Sequence, residues 1–304
     1  MRILVVGAGA IGGYFGGRLL EAGRDVTFLV RHPRAERLAA TGLVLRSGAG
    51  DVTLPAPTTV EAGALDAPFD LVLVSCKAYD LEGAIAAFAP AVGPDTAILP
   101  VVNGMRHLDR LDERFGAGRV LGGLCLISSM LDPEGRILHL NDFHGLVFGE
   151  RDGAHSARVE AIAAAFAGAR FDPRPSCAIL QEMWEKWVFI ASLAGTTCLM
   201  RASVGDALAA GGAGLALAIL EECAAIAAGQ GFPPGPAALA KVRAILTTPS
   251  GLKASMLRDL EQGAPSEAEH VIGDLLRRGR PGAQPMLDLV MAHLRAYEIS
   301  RSRA

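Results

Sequence analysis

Short apolar runs separated by a glycine-rich turn and a helical stretch open the chain. An apolar run at 2–6 meets the glycines of 7–13, a helix-like stretch continues through Leu20, and a second apolar run follows at 26–30. Strand, glycine turn, helix and strand within about thirty residues are the βαβ context in which Gly-x-Gly-x-x-Gly binds a dinucleotide. A glycine-rich turn in an ordinary α/β sheet is the alternative interpretation.

Each position of the glycine motif has a predicted task. Gly7 would form the tight turn, Gly9 would let the backbone approach a pyrophosphate, and Gly12 would let the helix pack closely on the sheet. The pyrophosphate would rest on the helix N-terminus at Ala10 and Ile11, where free N–H groups and the helix dipole favour an anion. The motif therefore predicts a dinucleotide site.

Further apolar runs continue this pattern up to residue 172. The runs at 70–75 and 97–102 lead to Lys77 and Asn103, at the carboxyl edge where open α/β sheets place their ligands. Together with the other segments, they predict a doubly wound, mostly parallel α/β domain over residues 1–172. The other segments are a hairpin at 43–45 and 52–54, strands at 120–124, 137–140 and 145–148, and a closing helix at 156–168.

Beyond residue 172 every segment has the helical period, so we predict an all-α domain over residues 173–304. The alanine-rich segment 213–228 could cover the core of this domain or a partner subunit, which leaves a homodimer open. Proline and glycine divide the predicted helices, which occupy the 180s and 190s, 213–228, 236–246, 253–260, 267–278 and 286–299.

Composition excludes several classes of protein. Half of the 304 residues are apolar and a fifth are charged, which is typical of a globular chain. A net charge of −3 gives no indication of a nucleic-acid or membrane partner. No apolar run reaches the roughly 18–20 residues of a membrane span, and no signal-peptide pattern is visible. Five scattered cysteines and seven histidines without ligand spacing predict no metal and a cytoplasmic protein with reduced thiols.

The second apolar run ends at Arg31, with Arg34 close by. An acidic residue at this point would hydrogen-bond the ribose hydroxyls of NAD, whereas an arginine can pair with a 2′-phosphate. Arg31 therefore favours NADP(H) as the cofactor. The alternative interpretation is an arginine in a solvated loop.

One helical segment in the second half combines a core stripe with an off-stripe lysine. Lys186 lies outside the stripe, and on composition alone it is described best as a solvated helix lysine. The stripe at helical spacing consists of Met183, Trp184, Trp187, Val188 and Ala191.

Taken as a set, these motifs resemble the ketopantoate reductase family (2-dehydropantoate 2-reductase, ApbA/PanE-like) over essentially the full length. The resemblance implies a Rossmann domain followed by a helical domain, with the active site in the cleft between them. It also implies NADPH-dependent reduction of a 2-oxo acid to a 2-hydroxy acid, as from ketopantoate to pantoate in pantothenate biosynthesis. Besides the glycine motif and Arg31, the shared features are Ser75-Cys76-Lys77-Ala78, Val102-Asn103-Gly104-Met105, Trp184-x-Lys186, Ser255-Met256-Leu257-x-Asp259, and Ser266-Glu267 leading into Leu275-Leu276-Arg277-Arg278.

The resemblance implies roles for five side chains. Lys186 matches the family's general acid, and Glu267 matches a glutamate that orients the substrate hydroxyl. Ser255 matches a serine that binds the substrate carboxylate, and Asn103 and Lys77 match residues at the cofactor and substrate edge. Besides Lys186, two of these matches have other interpretations: 266–269 has the pattern of a capping box, and position 255 can be a packed helix serine.

Three family asparagines are replaced by apolar residues, namely Ile190, Ala194 and Leu252. Positions 190 and 194 share a helix face with Lys186 and belong to the predicted substrate-binding residues. Each substrate hydroxyl left unpaired would cost roughly 1–3 kcal/mol. We therefore expect the best substrate to be a more apolar 2-oxo acid than ketopantoate.

Two other functions stay open on the sequence. Other two-domain NAD(P) dehydrogenases, such as 3-hydroxyacid or glycerol-3-phosphate dehydrogenases, pair a similar N-terminal domain with a helical one. A protein that senses NADP(H) without turnover is compatible with the lost asparagines. Retention of both Lys186 and Glu267 argues against the sensor.

Overall fold

The computed structural model describes residues 1–303. The chain divides into two compact units, one formed by Met1–Val102 with His107–Ile179 and the other by Asn103–Arg106 with the residues from Leu180 onward. The strands are β1 (Arg2–Val6), β2 (Asp25–Leu29), β3 (Leu43–Arg46), β4 (Val52–Leu54), β5 (Thr59–Val60), β6 (Leu71–Val74), β7 (Ala97–Pro100), β8 (Gly122–Leu131), β9 (Ile137–Gly149) and β10 (Asp172–Pro175). The helices are α1 (Ala10–Glu21), α2 (His32–Thr41), α3 (Leu81–Phe88), α4 (Arg106–Phe115), α5 (Ala157–Phe166), α6 (Ile179–Met200), α7 (Val204–Ala209), α8 (Ala213–Gly229), α9 (Pro236–Thr247), α10 (Ser255–Glu261), α11 (Asp274–Arg278) and α12 (Pro285–Arg301).

A parallel sheet with the strand order β5-β2-β1-β6-β7 forms the centre of the first unit. β1 lies between β2 and β6, and its apolar residues are buried, as expected for a strand covered on both faces. The predicted doubly wound parallel fold followed by a helical region is confirmed. Within residues 1–303, no helix combines the length and the apolar character that a membrane crossing requires.

A second sheet with the order β10-β9-β3-β4 packs in the same unit, with β8 paired to β9. The predicted β3–β4 hairpin is confirmed. The runs 137–140 and 145–148, predicted as two strands, belong to the single strand β9, which pairs antiparallel with β8 along both runs, with a register shift between Ile127 and Ser129. β10 was not predicted. It contains two prolines, which lack a backbone donor, and it lies at the sheet edge where prolines are tolerated.

Helix α1 lies between the two sheets of the first unit. A Cβ atom built on Gly16 would stand 2.6 Å from Cε1 of Phe28 in the parallel sheet. One built on Gly17 would stand 2.9 Å from Cδ2 of Leu43, and one on Gly13 would stand 2.4 Å from Cδ1 of Ile137, both in the second sheet. The glycines let the helix approach both sheets, which fixes the position of its N-terminus.

The second unit is helical, and its longest helix is α6. The predicted core stripe of this helix is buried throughout, from Met183 to Ala191. Residues 267–278, predicted as one helix, are divided: Glu269–Gly273 forms a π-helical turn and α11 begins only at Asp274. A π turn inside a helix is often found at a functional site.

Candidate active site

The glycine turn after β1 has a backbone that side chains would disrupt. Gly7 has a φ of +94°, which favours glycine, and its N–H donates to the carbonyl of Leu29 at the end of β2 (2.9 Å). A Cβ atom on Gly12 would stand 2.2 Å from the Gly7 carbonyl oxygen and 2.1 Å from Oγ of Ser75. This is the tight turn and close helix approach that the motif predicts.

The N-terminus of α1 is open above this turn. Gly9 is the N-cap residue, no side chain of residues 1–303 caps it, and the first turn carries no acidic residue. A Cβ atom on Gly9 would have no atom of the described chain within 4 Å. Because the first N–H groups of a helix have no partner within the helix, those near Ala10 and Ile11 fit an anion such as a pyrophosphate.

Arg31 is paired with a carboxylate that sequence analysis did not consider. Its side chain is 78% exposed, and its Nη2 lies 2.5 Å from Oδ1 of Asp80. The hydrogen bond and the charge of Asp80 raise the pKa of Arg31. Asp80 lies three residues after Lys77, which is half-buried at the end of the β6 segment. Arg31, the residue predicted to bind the 2′-phosphate, therefore already has an anionic partner in Asp80.

Arg34 supports the glycine turn from within the first unit. Its Nε donates to the carbonyl of Ala8 (3.0 Å), and its Nη1 donates to that of Gly135 (2.9 Å). Burial and the neighbouring Arg37 lower its pKa. Sequence analysis named Arg34 only as a neighbour of Arg31, because the local pattern cannot indicate carbonyl partners that lie 26 and 101 positions away in the sequence.

In the second unit, three distant stretches pack around Trp187. Gly104 has a φ of +79°, and a Cβ atom on it would stand 2.9 Å from the carbonyl oxygen of His270 and 3.7 Å from Cε2 of Trp187. The indole Nε1 donates to the carbonyl of Val271, 84 residues away in sequence (2.9 Å). We call this the Trp187 junction: the 103–106 segment, the part of α6 around Trp187, and residues 267–273.

Each of the three stretches of the Trp187 junction carries one of the predicted site residues. Asn103 adjoins Gly104 and is half-buried, Lys186 adjoins Trp187 and is half-buried, and Glu267 begins the third stretch with only 7% of its surface exposed. His270 also lies in this third stretch, where burial and the charge of Arg106 lower its pKa.

The predicted capping box at 266–269 does not form. The N–H of Ser266 donates to Oε1 of Glu298 (2.7 Å), and the Glu269 carboxylate accepts from Nε of Arg295 (2.9 Å). This bond to Arg295 is the main reason why the pKa of Glu269 is lowered. The local sequence suggested the start of a helix, but the Ser266 N–H and the Glu269 carboxylate are both bonded to residues of α12. Capping therefore does not account for Glu267.

The substrate-binding candidates are spread along α6. Ile190 and Ala194 follow Lys186 on the same helix face; Ile190 is half-buried, but Ala194 is only 3% exposed. Ser255 is exposed at the start of α10, and the N–H of the preceding Ala254 donates to Oγ1 of Thr197 (3.4 Å). That contact lies about 16 Å along α6 from Lys186, so Ser255 is placed at the far end of this face.

Sequence reasoning missed Asp80, the structural role of Arg34 and the bond between Trp187 and Val271. Only Asp80 had a signal: it follows a strand adjacent to β1, on the edge where ligands are expected. Within residues 1–303, no group of three or more His, Cys, Asp or Glu side chains is arranged to hold a metal ion.

Comparisons with known proteins agree over most of the chain. The family model "Ketopantoate reductase PanE/ApbA" matches residues 3–153, and its C-terminal counterpart matches 178–298. The uncharacterized oxidoreductase YkpB of Bacillus subtilis (strain 168) is 40% identical, over 99% of this chain and 100% of YkpB. The crystal structure of 2-dehydropantoate 2-reductase from Geobacter metallireducens GS-15 has a TM-score of 0.88 and 31% identity, covering 97% of this chain and 99% of that one.

A further structural neighbour extends the range of named activities on this fold. The ternary structure of D-mandelate dehydrogenase with NADH and anilino(oxo)acetate has a TM-score of 0.88 at 19% identity, over 99% of this chain and 100% of that one. This likeness shows the fold alone. The two family models, which together match most of the residues in both units, place the chain in the ketopantoate reductase family.

Proposed function

We propose that this protein is an NADPH-dependent reductase that converts a 2-oxo acid into a 2-hydroxy acid. The observation that carries the proposal is the Trp187 junction, where the three distant stretches that carry Asn103, Lys186 and Glu267 contact one another. A lysine with a carboxylate beside it is suited to carbonyl reduction, because one group can stabilise and protonate a developing alkoxide while the other accepts a hydroxyl proton in a hydrogen bond.

The first unit fits the cofactor. The N–H groups of Gly9, Ala10 and Ile11 would hold the pyrophosphate, because the helix N-terminus is open and uncapped by any described side chain. Arg31 would pair with the 2′-phosphate, and Lys77 lies at the edge of the same sheet. When bound, NADPH supplies the hydride for reduction.

The second unit supplies the acid and the substrate contacts in this proposal. The Lys186 ammonium stabilises negative charge on the carbonyl oxygen and donates the proton. Glu267 accepts a hydrogen bond from the resulting hydroxyl, and Asn103 offers an amide at the same junction. Ile190 and Ala194 offer no hydrogen-bonding side chain on the face that Lys186 shares, so we infer a substrate more apolar than ketopantoate.

Two acids that differ by one hydroxyl test the proposal. Ketopantoate is 4-hydroxy-3,3-dimethyl-2-oxobutanoate, and 3,3-dimethyl-2-oxobutanoate lacks only that hydroxyl. We expect NADPH oxidation with both and the larger kcat/KM with the apolar acid. In Lys186→Gln, kcat falls by about 10²–10⁴-fold while NADPH binding is retained.

The opposite results separate the competing functions. A larger kcat/KM with ketopantoate than with any apolar 2-oxo acid would make the protein a pantoate-forming reductase. Tight NADPH binding without oxidation by any 2-oxo acid would favour a sensor of NADP(H). Reduction of 3-oxo acids or dihydroxyacetone phosphate alone would indicate one of the other two-domain dehydrogenases.

A further inference from the structure

The strongest feature outside the proposed chemistry is the ion pair between Arg31 and Asp80. The two side chains are 78% and 34% exposed, and Nη2 lies 2.5 Å from Oδ1. Exposed ion pairs contribute little to stability, so the fold does not require this contact. Its position is what distinguishes it.

The ion pair spans the region of the dinucleotide motif. Arg31 follows β2 and Asp80 follows β6, and these strands lie on either side of β1, whose carboxyl end carries the glycine turn. Two other carboxylates lie near Arg31, namely Glu36, which is close in sequence, and Glu61, which follows β5. Both lie beside the His32 ring instead, at 3.4 Å and 3.0 Å. Asp80 is therefore the carboxylate that engages Arg31.

This arrangement joins two residue types that dinucleotide enzymes normally use separately. Where NAD is bound, an acidic residue accepts a hydrogen bond from the ribose 2′-hydroxyl, and where NADP is bound, an arginine pairs with the 2′-phosphate. Here both are in direct contact. A 2′-phosphate bound at Arg31 is repelled by the Asp80 carboxylate, which already occupies one of the guanidinium nitrogens, whereas a 2′-hydroxyl can donate to that carboxylate.

We propose that Asp80 is a specificity-determining residue that weakens the preference of the site for NADPH over NADH. The inference rests on the proposed function, because it presupposes that the glycine turn binds a dinucleotide. It concerns only how the adenosine ribose is recognised, and the reduction chemistry in the second unit does not enter it.

The chain offers a matched control for the charge of Asp80. Glu82, two residues further on, is 64% exposed and accepts from Nε of Arg110 (2.6 Å). Glu82→Gln removes the same charge from the same segment and leaves the Arg31 contact intact. Asp80→Asn is nearly isosteric, and the Asp80 side chain makes no capping hydrogen bond at the start of α3 within the described structure, so this helix keeps its N-terminus.

The test is calorimetric binding of adenosine 2′,5′-bisphosphate and of 5′-AMP, which differ only in the 2′-phosphate. We expect Asp80→Asn to bind the bisphosphate about three- to tenfold more tightly than the wild type, without a gain for 5′-AMP. Glu82→Gln should change both affinities equally and by less. The gain should shrink as salt is added, because the contact is exposed.

Three outcomes would contradict the inference. An equal gain in Asp80→Asn and Glu82→Gln would mean that only the net charge matters. Unchanged or weaker bisphosphate binding in Asp80→Asn, while the wild type binds NADPH, would overturn the role of Asp80 and leave the proposed function standing. A wild type that binds neither nucleotide nor NADPH would overturn both.

Discussion

The glycine turn of the first unit depends on backbone conformation, whereas the Trp187 junction of the second depends on side-chain contacts. The turn is a backbone structure: its requirements are a φ of +94° at Gly7 and a space at Gly12 too small for a methyl group. The junction is a side-chain structure, in which an indole bonded to the Val271 carbonyl connects α6 to a stretch 84 residues away.

This difference predicts how each region responds to substitution. In a backbone structure, an added methyl group lowers stability where neighbouring atoms leave no space for it, and it leaves stability unchanged where the position faces open space. A side-chain structure depends on whether a polar partner is left buried without a hydrogen bond, which costs about 1–3 kcal/mol. Substitutions chosen in pairs, one at a sensitive position and one at a tolerant position, test this difference.

The largest effect is expected for Gly12→Ala in the glycine turn. Its methyl group would overlap the Gly7 carbonyl at 2.2 Å, which cannot move without the turn. Overpacking of this kind typically costs about 1–3 kcal/mol or more, and NADPH affinity should be lost with the geometry. Urea unfolding and NADPH fluorescence titration measure the two consequences.

Gly9→Ala is the matched control, three residues away in the same turn. Its φ of −82° suits alanine, and the built Cβ atom has no described neighbour within 4 Å. We expect the free energy of unfolding to change by no more than about 1 kcal/mol, while NADPH binds at least tenfold more weakly because the methyl group enters the space of the pyrophosphate. Equal loss of stability in both variants would refute the distinction between closed and open positions.

Trp187→Phe tests the junction and should have the next largest effect. It removes the hydrogen bond that connects α6 to residues 267–273 and leaves a gap where the larger indole stood, so the free energy of unfolding should fall by about 1–3 kcal/mol. Because Lys186 and Glu267 adjoin the broken contact, kcat should also fall, while NADPH affinity should change less, because the glycine turn and Arg31 lie in the first unit.

Thr196→Val controls for the loss of any buried polar group from α6. The Thr196 hydroxyl donates to the carbonyl of Ser192 (2.8 Å), which as a helix carbonyl has a backbone donor of its own. Its removal should therefore change stability by less than about 1 kcal/mol. If Thr196→Val lowers kcat as much as Trp187→Phe does, the junction has no special role.

Substrate preference should respond less strongly, at Ile190. Ile190→Asn restores an amide on the face of Lys186 and should raise the kcat/KM ratio of ketopantoate to 3,3-dimethyl-2-oxobutanoate by about five- to 100-fold. Ala194→Asn should fail to do so, because Ala194 is 3% exposed and a larger side chain would overpack the helix. A ratio unchanged in Ile190→Asn would remove Ile190 from the substrate contacts.

The same contrast explains what the sequence could predict. Gly7 and Gly12 act through neighbours within the turn or the adjacent strands, so their spacing alone indicated the conformation. The letters of 266–269 predicted a capping box, but Glu298 and Arg295 on a distant helix take those groups. Local periodicity describes which face of an element is buried, and it does not choose the partner of an individual polar side chain.

Partner choice also explains the residues that were missed. Asp80 pairs with Arg31 across 49 positions, and Arg34 reaches a carbonyl 101 positions away. The first contact requires the strand order of the parallel sheet, which brings the ends of β2 and β6 to either side of β1, and the second joins α2 to the turn between β8 and β9 of the other sheet. β10 was not predicted for a related reason. Its prolines disfavour a strand locally, and the strand forms through pairing with the distant β9.

Cysteine labelling should have the smallest effect on activity, and it compares the two units directly. In the first unit Cys177 is exposed, with its Sγ 3.1 Å from Nε2 of His155. In the second unit burial raises the pKa of both Cys198 and Cys223 to about 12.

Because the thiolate is the reactive form, a disulfide reagent should modify Cys177 in the native protein and reach Cys198 and Cys223 only on unfolding. Peptide mass spectrometry along a urea series identifies the order, and Cys177→Ser should remove the labelled peptide that contains position 177 and keep full activity. Modification of Cys198 below the unfolding transition would show that the second unit opens locally, so the packing around α6 would be less rigid than the closed turn at Gly12.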